Sequence, residues 1–268
     1  MSDPAELREL LEFAVAVSWR AGRSTLAHYQ SGIAADAKAD GSPVTIADRE
    51  AERLARELLA ERFPADGILG EEHGETGTGA VRRWVIDPID GTRTFVRGVP
   101  FYGFLLGLLE GEEPVLGVAY FPALGETIAA ARGCGCWWNG QRVAVSRVDR
   151  LDEALLLTTD VEAIELRGDD RTAGWERLRR RARMVRTWGD CYAYAMVATG
   201  RAEVALDPVV APWDILPFVP ILTEAGGVLT SWPGTADAGA AGGGPPVGSA
   251  VATNAALGSA VRSLLGES

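Results

Sequence analysis

The chain has little of what a thiolate-metal or disulfide protein needs: three cysteines and two histidines in 268 residues. Cys134 and Cys136 stand two apart in a Gly-rich segment and Cys191 stands alone. There is no CxxC pair and no disulfide framework, so reduced thiols are expected. With only His28 and His73 to join them, a zinc site of mixed Cys and His ligands has too few donors. Apolar runs long enough to span a bilayer are missing. The opening Met1-Ser2-Asp3-Pro4-Ala5-Glu6 has neither the basic nor the apolar region of a secretion signal. A soluble cytoplasmic chain with no membrane partner is the expectation. Positive charge is also short, 26 Lys and Arg against 37 Asp and Glu, a net −11. A field of that sign repels nucleic acid, which is therefore not an expected partner, and it equally repels a phosphorylated small molecule. Any phosphate site here needs a local reversal of potential, which a hard divalent cation held by oxygen ligands provides.

What is present suffices for a sizeable core. Hydrophobic residues make up 47% of the chain and charged ones 24%, the balance of an ordinary globular protein. Apolar groups at Leu7, Leu10, Leu11, Ala14 and Ala21 predict a helix within residues 5–29. A turn-rich stretch follows, and a second helix starts near the capping pair Thr45 and Asp48, running through Ala51, Leu54, Ala55, Leu58 and Leu59. Gly67 to Glu72 reads as a short strand ending in acid. Strands are expected at Trp84–Ile86, Phe104–Leu109, Val115–Tyr120, Glu126–Ala131 and Arg142–Ser146, with Arg132 to Gly140 as a hairpin turn. Beyond it strands at Ala154–Thr159, Arg186–Trp188, Glu203–Asp207, Val228–Ser231 and Ala250–Thr253 alternate with helices. The helices are Trp175–Arg183, Tyr192–Thr199, Asp214–Ala225 and Ala255–Leu265. This order predicts an N-terminal α+β lobe over residues 1–147 and a C-terminal α/β lobe over 148–268. Six arginines between Arg177 and Arg186 read as a solvated helix face.

The chemistry is concentrated in acids at strand ends and helix starts. They are Glu71-Glu72, Asp87-Pro88-Ile89-Asp90-Gly91-Thr92, Trp213-Asp214, and the upstream pair Asp40 and Asp48. Asp87 ends an apolar strand, where a buried carboxylate is costly without a partner. Pro88 stiffens the turn, so Asp87 and Asp90 can converge on one cation with the Ile89 carbonyl beside them. Gly91 permits close backbone approach, and the helical turn opened by Gly91-Thr92-Arg93 presents free N–H groups to a phosphate oxygen. Each piece alone has a plainer reading: Asp-Pro and Asp-Gly are common turns, adjacent glutamates are usually solvated, and Asp214 at a helix start is an ordinary N-cap.

Taken together, Gly70-Glu71-Glu72, Trp84-Val85-Ile86-Asp87-Pro88-Ile89-Asp90-Gly91-Thr92, and Trp213-Asp214 with Glu224-Ala225-Gly226-Gly227 resemble the inositol monophosphatase superfamily over residues 38–254. The resemblance implies a layered α-β-α-β-α sandwich, Mg²⁺ dependence with two or three ions per active site, a small phosphorylated metabolite as substrate, and a homodimer. Carried over, Glu71, Asp87 and the Ile89 carbonyl hold a first metal, and Asp87, Asp90 and Asp214 a second. Asp48 and Glu71 lie near a weaker third site, and Thr92 with Glu71 orients the attacking water. Asp90, Gly91 and Thr92 meet the phosphate.

For the alcohol, Phe95-Val96-Arg97-Gly98-Val99-Pro100, Gly189-Asp190-Cys191-Tyr192-Ala193-Tyr194 and Lys38 to Asp48 are most similar to bacterial histidinol-phosphatases. Inositol monophosphatases usually carry a small residue where Asp190 stands. An acid there suits an alcohol bearing an ammonium and an imidazole, and it equally suits a cap for the helix near Tyr192. Asp190, Asp207 and Arg97 are the expected specificity residues for L-histidinol phosphate, the substrate of a step in histidine biosynthesis. Two positions depart from the pattern: Thr94 replaces the usual Asn and Asp207 the usual Glu. Inositol-1-phosphate and a nucleotide 3′-phosphate are the competing substrates, and a non-catalytic transcription-associated binding protein is the competing class.

Overall fold

The computed structural model describes residues 2–38, 41–166, 170–232 and 248–266. The chain begins with helix Pro4–Ser24, capped by Asp3, whose Oδ1 accepts the N–H groups of Ala5 and Glu6 at 2.9 and 3.0 Å. The Leu7, Leu10, Leu11, Ala14, Val17 and Ala21 stripe is buried, as the helical spacing predicts. Helix Ile46–Arg62 follows with the Thr45/Asp48 capping box. Both lie on one face of an eight-stranded sheet, packed against Phe104, Leu106, Leu108, Leu116 and Val118. The sheet order is Gln141–Val143, Gly135–Trp138, Glu126–Ala131, Glu113–Phe121, Gly103–Glu110, Arg82–Asp90, Gly67–Gly70, Gly74–Thr76. It is antiparallel except where Gly67–Gly70 runs parallel to Arg82–Asp90.

The opposite face, carrying Leu105, Ala119, Phe121, Ile128 and Ala130, is covered by helices Cys191–Ala198 and Phe218–Glu224. The same core includes Leu157, Ala205, Ala250 and Ala252 of a second, five-stranded sheet. That sheet runs Met184–Arg186, Leu155–Leu157, Val204–Asp207, Ala250–Asn254, Gly227–Thr230, parallel across the first three and antiparallel beyond. Strand period 2 divides its residues cleanly: Ala205 faces the inner core, whereas Val204 and Leu206 face outward to Ile164, Trp175, Leu178, Val261 and Leu265. Helices Asp170–Arg179 and Gly258–Leu265 form that outer cover. The layers are therefore helix, sheet, helix, sheet, helix, the sandwich the resemblance implies. The inner helices come from the C-terminal half and serve both sheets.

Several elements differ from expectation. The first helix gives way at Ser24 to a single tighter turn, Thr25–Ala27. The expected helix Asp214–Ala225 is two helices, Pro212–Ile215 and Phe218–Glu224, because Pro217 has no N–H to continue the ladder. Arg132 to Gly140 is not one hairpin turn: Gly135–Trp138 within it is a strand paired on both sides, and the turns flank it. Strand Arg82–Asp90 carries on past Asp87 through a bulge. Strand Gly74–Thr76 and helix Val161–Glu165 had no counterpart in the sequence reading. Asp40 and residues 233–247 of the Gly/Pro-rich segment lie outside the described residues.

Candidate metal and phosphate site

The acids converge where the long strand Arg82–Asp90 meets the short helix Thr92–Val96. Asp87 pairs with Leu105 and Asp90 with Gly103, so three steps on one strand oppose two on the other. The extra residue, in the Pro88-Ile89 stretch, turns Asp90 to the same side as Asp87. Asp87 Oδ1 accepts the Ile89 N–H at 3.1 Å, and the Ile89 side chain is anchored in a cluster with Ala47, Phe95 and Tyr102. Gly91 then adopts φ 86° and starts the helix, a backbone turn that favours glycine. Helix Pro212–Ile215 brings Asp214 from the other half. It is seated by Trp213 against Val85, Leu109 and Leu216, and its Oδ2 accepts the Ala211 N–H at 2.8 Å.

Carboxylate oxygens of Asp87, Asp90 and Asp214 lie within 4.8 Å of one another. Burial raises the pKa of Asp87 well above the carboxylate range, and repulsion from Glu71, Asp90 and Asp214 adds to it. Asp90 is raised in the same way by burial, Asp190 and Asp214. Asp214 is pushed up to about 6, by burial first, with Glu71 and Asp190 adding and the Ala211 hydrogen bond opposing. Such crowding is unfavourable unless protons or a cation neutralise it, and an all-oxygen donor set suits a hard divalent ion.

Glu71 stands at the edge of this group. Lys38 Nζ lies 2.6 Å from its Oε1 and 2.6 Å from Glu72 Oε1. Burial raises the pKa of Glu71, and the Lys38 bond opposes it. Thr92 Oγ1 lies 3.0 Å from the Ile89 carbonyl and 3.3 Å from Asp48 Oδ1. Asp48 Oδ2 is occupied by the Thr45 N–H and hydroxyl at 2.8 and 2.6 Å, so this acid serves as helix cap and site neighbour at once.

A cavity of about 220 Å³ opens beside Asp90 and Asp214. Asp160, Asp190 and Asp207 also line it, with Tyr194 and Val209 among the rest, and among the described residues no Lys or Arg does. Asp207 is buried and pushed up to about 6 by that burial. Its oxygens accept the Thr159 N–H at 2.8 Å and the Tyr194 hydroxyl at 2.8 Å, so it brings charge rather than a free acceptor. Asp190 makes no side-chain cap with helix Cys191–Ala198, and takes the Thr94 hydroxyl instead. Arg97 is not brought to this cavity: the helix Thr92–Val96 leads away from Asp90 and leaves Arg97 exposed at its C-terminal end.

Three contributors were not singled out from sequence. Glu52, one turn after Asp48 on the same helix, is fully buried. It accepts the Glu72 and His73 N–H groups at 2.7 and 3.2 Å and the Arg56 Nε at 2.6 Å, fixing the Glu71-Glu72 turn. Its i, i+4 spacing from Asp48 was the available signal. Lys38 was visible only as a motif letter. Asp160 caps helix Val161–Glu165, which the strand-and-helix reading passed over.

Residues 6–264 match the inositol monophosphatase family. The histidinol-phosphatase of Chlorobaculum parvum is 42% identical over 225 residues, 84% of this chain and 86% of that protein. The histidinol-phosphatase of Mycobacterium tuberculosis is 38% identical over 262 residues, covering 92% of this chain and 94% of that protein. Among solved structures, the extragenic suppressor protein suhB from Bartonella henselae is similar at TM-score 0.86 and 25% identity, over 97% of this chain and 99% of that one.

Proposed function

The chain belongs to the inositol monophosphatase family and is a phosphoric monoester hydrolase, and we propose that it hydrolyses L-histidinol phosphate to L-histidinol and phosphate in a Mg²⁺-dependent reaction. In this reading Asp87, Asp90 and Asp214, with Glu71 and the Ile89 carbonyl, hold two or three ions. Such ions, when bound, lower the pKa of water and neutralise charge on the phosphoryl oxygens. Around them the chain's own groups position the reactants. Glu71 and Thr92 orient the attacking water, with Asp48 steadying the Thr92 hydroxyl. The N–H groups of Gly91 and Thr92 receive phosphate oxygens as fixed dipoles needing no reorganisation during reaction.

The cavity carries the choice of alcohol. Asp160, Asp190 and Asp207 beside the metal acids, with no cation among the described lining residues, favour an alcohol that is itself cationic. Histidinol carries an ammonium and an imidazole, and its phosphate ester has a doubly anionic end for the ions and a cationic end for the aspartates. A neutral polyol can hydrogen-bond those acids but cannot offset their charge, so a cationic alcohol gains a charge-assisted contact that a polyol lacks. The similarity to two histidinol-phosphatases supports the same choice. The proposal extends to a cytoplasmic homodimer, which light scattering in solution checks.

The test is a panel of histidinol phosphate, inositol-1-phosphate and 3′-phosphoadenosine 5′-phosphate, assayed for phosphate release with Mg²⁺ and with chelator. Histidinol phosphate is expected to give the largest kcat/KM, and chelator to abolish release from every ester. A larger kcat/KM for either other ester overturns the substrate reading. Undiminished release in chelator overturns the Mg²⁺ reading.

A further inference from the structure

Thr94, a departure from the family pattern, and Asp190, an expected specificity residue, lie 96 positions apart in sequence and touch in the fold. Thr94 Oγ1 donates to Asp190 Oδ2 at 2.7 Å. We propose that Thr94 is a positioning residue for substrate choice, its hydroxyl holding the Asp190 carboxylate in place to meet the cationic part of the alcohol. The inference rests on the reading of Asp190 as a group that selects a cationic substrate.

The backbone at Asp190 points to a purpose beyond capping. Its φ of 50° and ψ of −158° fall in a region that side-chain-bearing residues rarely occupy, at a cost of about 1–3 kcal/mol. Two contacts enforce it. The Asp190 N–H donates to Thr159 Oγ1 at 2.7 Å, and Gly189 presses so close to Thr159 that a Cβ there would sit 2.3 Å from its Cα. A strained aspartate could be explained as the cap of helix Cys191–Ala198, but it makes no such bond. The strain instead delivers the carboxylate to Gly91, where even a methyl group would lie 2.8 Å from Oδ2.

Backbone strain fixes where the side chain starts, and the torsions of the side chain remain to be fixed. Thr94 does this by engaging Oδ2, which leaves Oδ1 without a hydrogen-bond partner among the described residues. Asp207, by contrast, has both oxygens engaged by Thr159 and Tyr194. Asp190 is therefore a cavity carboxylate whose second oxygen and fixed direction suit a charged hydrogen bond to substrate.

The experiment compares Thr94→Val, which keeps the shape and removes the hydroxyl, with Thr94→Ser, which keeps the hydroxyl. Each is assayed with Mg²⁺ on histidinol phosphate and on neutral-alcohol glycerol 2-phosphate. Thr94→Val is expected to raise KM for histidinol phosphate about tenfold, the worth of one hydrogen bond to a charged group, with kcat within about twofold. Its kinetics on glycerol 2-phosphate should match wild type, Thr94→Ser should restore KM, and Thr94→Val should add nothing to an Asp190→Asn background. An unchanged KM, or an equal loss on both esters, overturns the role of Thr94. If the wild type itself shows no preference for the cationic ester, the substrate reading has failed, and the inference falls with it. If wild type prefers that ester and Thr94→Val keeps the preference undiminished, only the inference has failed.

Discussion

At the scale of single residues, Asp90 is informative because removing its charge should have opposite effects on stability and on function. Its carboxylate is crowded by Asp190 and Asp214, and burial already disfavours its ionised form. Asp90→Asn relieves that repulsion, so the chelated protein should unfold at the same temperature as wild type or higher. The same change removes an oxygen anion from the triad that faces a cation. Turnover should fall about a thousandfold or more, since several kcal/mol of charge stabilisation depend on the ion, and the Mg²⁺-induced rise in melting temperature should shrink. Phosphate-release assays and thermal melts with and without Mg²⁺ read both effects, and near-normal turnover refutes the ligand assignment. Glu52 makes the contrasting case. Its carboxylate is satisfied by Arg56 and by the Glu72 and His73 N–H groups, so Glu52→Gln turns an acceptor into a donor facing donors. A loss of about 2–3 kcal/mol in urea melts is expected even in chelator.

At the scale of elements, the seating of Asp214 depends on two glycines. Gly107 and Gly117 stand directly opposite each other on neighbouring strands, leaving a shallow spot in the sheet. Pro217 lies in it: a Cβ at Gly117 would be 1.8 Å from the Pro217 carbonyl oxygen, whereas one at Gly107 would be in ordinary contact at 3.4 Å. Gly117→Ala must therefore push back the chain three residues after Asp214. A loss of about 3 kcal/mol is expected from overpacking against backbone, with weakened Mg²⁺ activation. Gly107→Ala should cost less than about 1 kcal/mol, and equal losses in urea melts would refute the seating argument. None of this close approach was legible in the sequence, where both glycines simply fall inside the expected strands Phe104–Leu109 and Val115–Tyr120. Local periodicity was legible: the stripe of helix Pro4–Ser24, the Thr45/Asp48 cap and most of the strands follow from spacing. The acids of the site were named from strand ends and a motif string. Their supports were not, because Lys38 and the Thr94–Asp190 contact are set by tertiary proximity that no periodicity encodes, and Glu52 offered only its i, i+4 spacing from Asp48. Pro217 was a readable break in the expected helix Asp214–Ala225, outweighed by the apolar run around it.

At the scale of the whole molecule, the buried acids couple stability to protons and cations. Asp207 and Asp214 are held up to about 6, and Asp87 and Asp90 are raised well above their usual range. For an acid whose folded-state pKa lies above its unfolded value, the folded protein binds protons more tightly than the unfolded chain. Stability then falls as pH rises between the unfolded value near 4 and the folded one. The lowered acids Asp152 and Glu176 titrate below this window and do not oppose the trend. In chelator, the melting temperature is thus expected to be several degrees higher at pH 5 than at pH 7.5. A divalent cation competes with those protons for Asp87, Asp90 and Asp214, so the rise it causes should be larger at pH 7.5 than at pH 5. Asp207 lies apart from the triad, and Asp207→Asn should flatten part of the pH trend while leaving the Mg²⁺ difference in place. Thermal melts at the two pH values, with chelator and with Mg²⁺, separate these contributions. A melting temperature in chelator that climbs from pH 5 to pH 7.5 would mean that the acids do not carry the cost of ionisation that their burial implies.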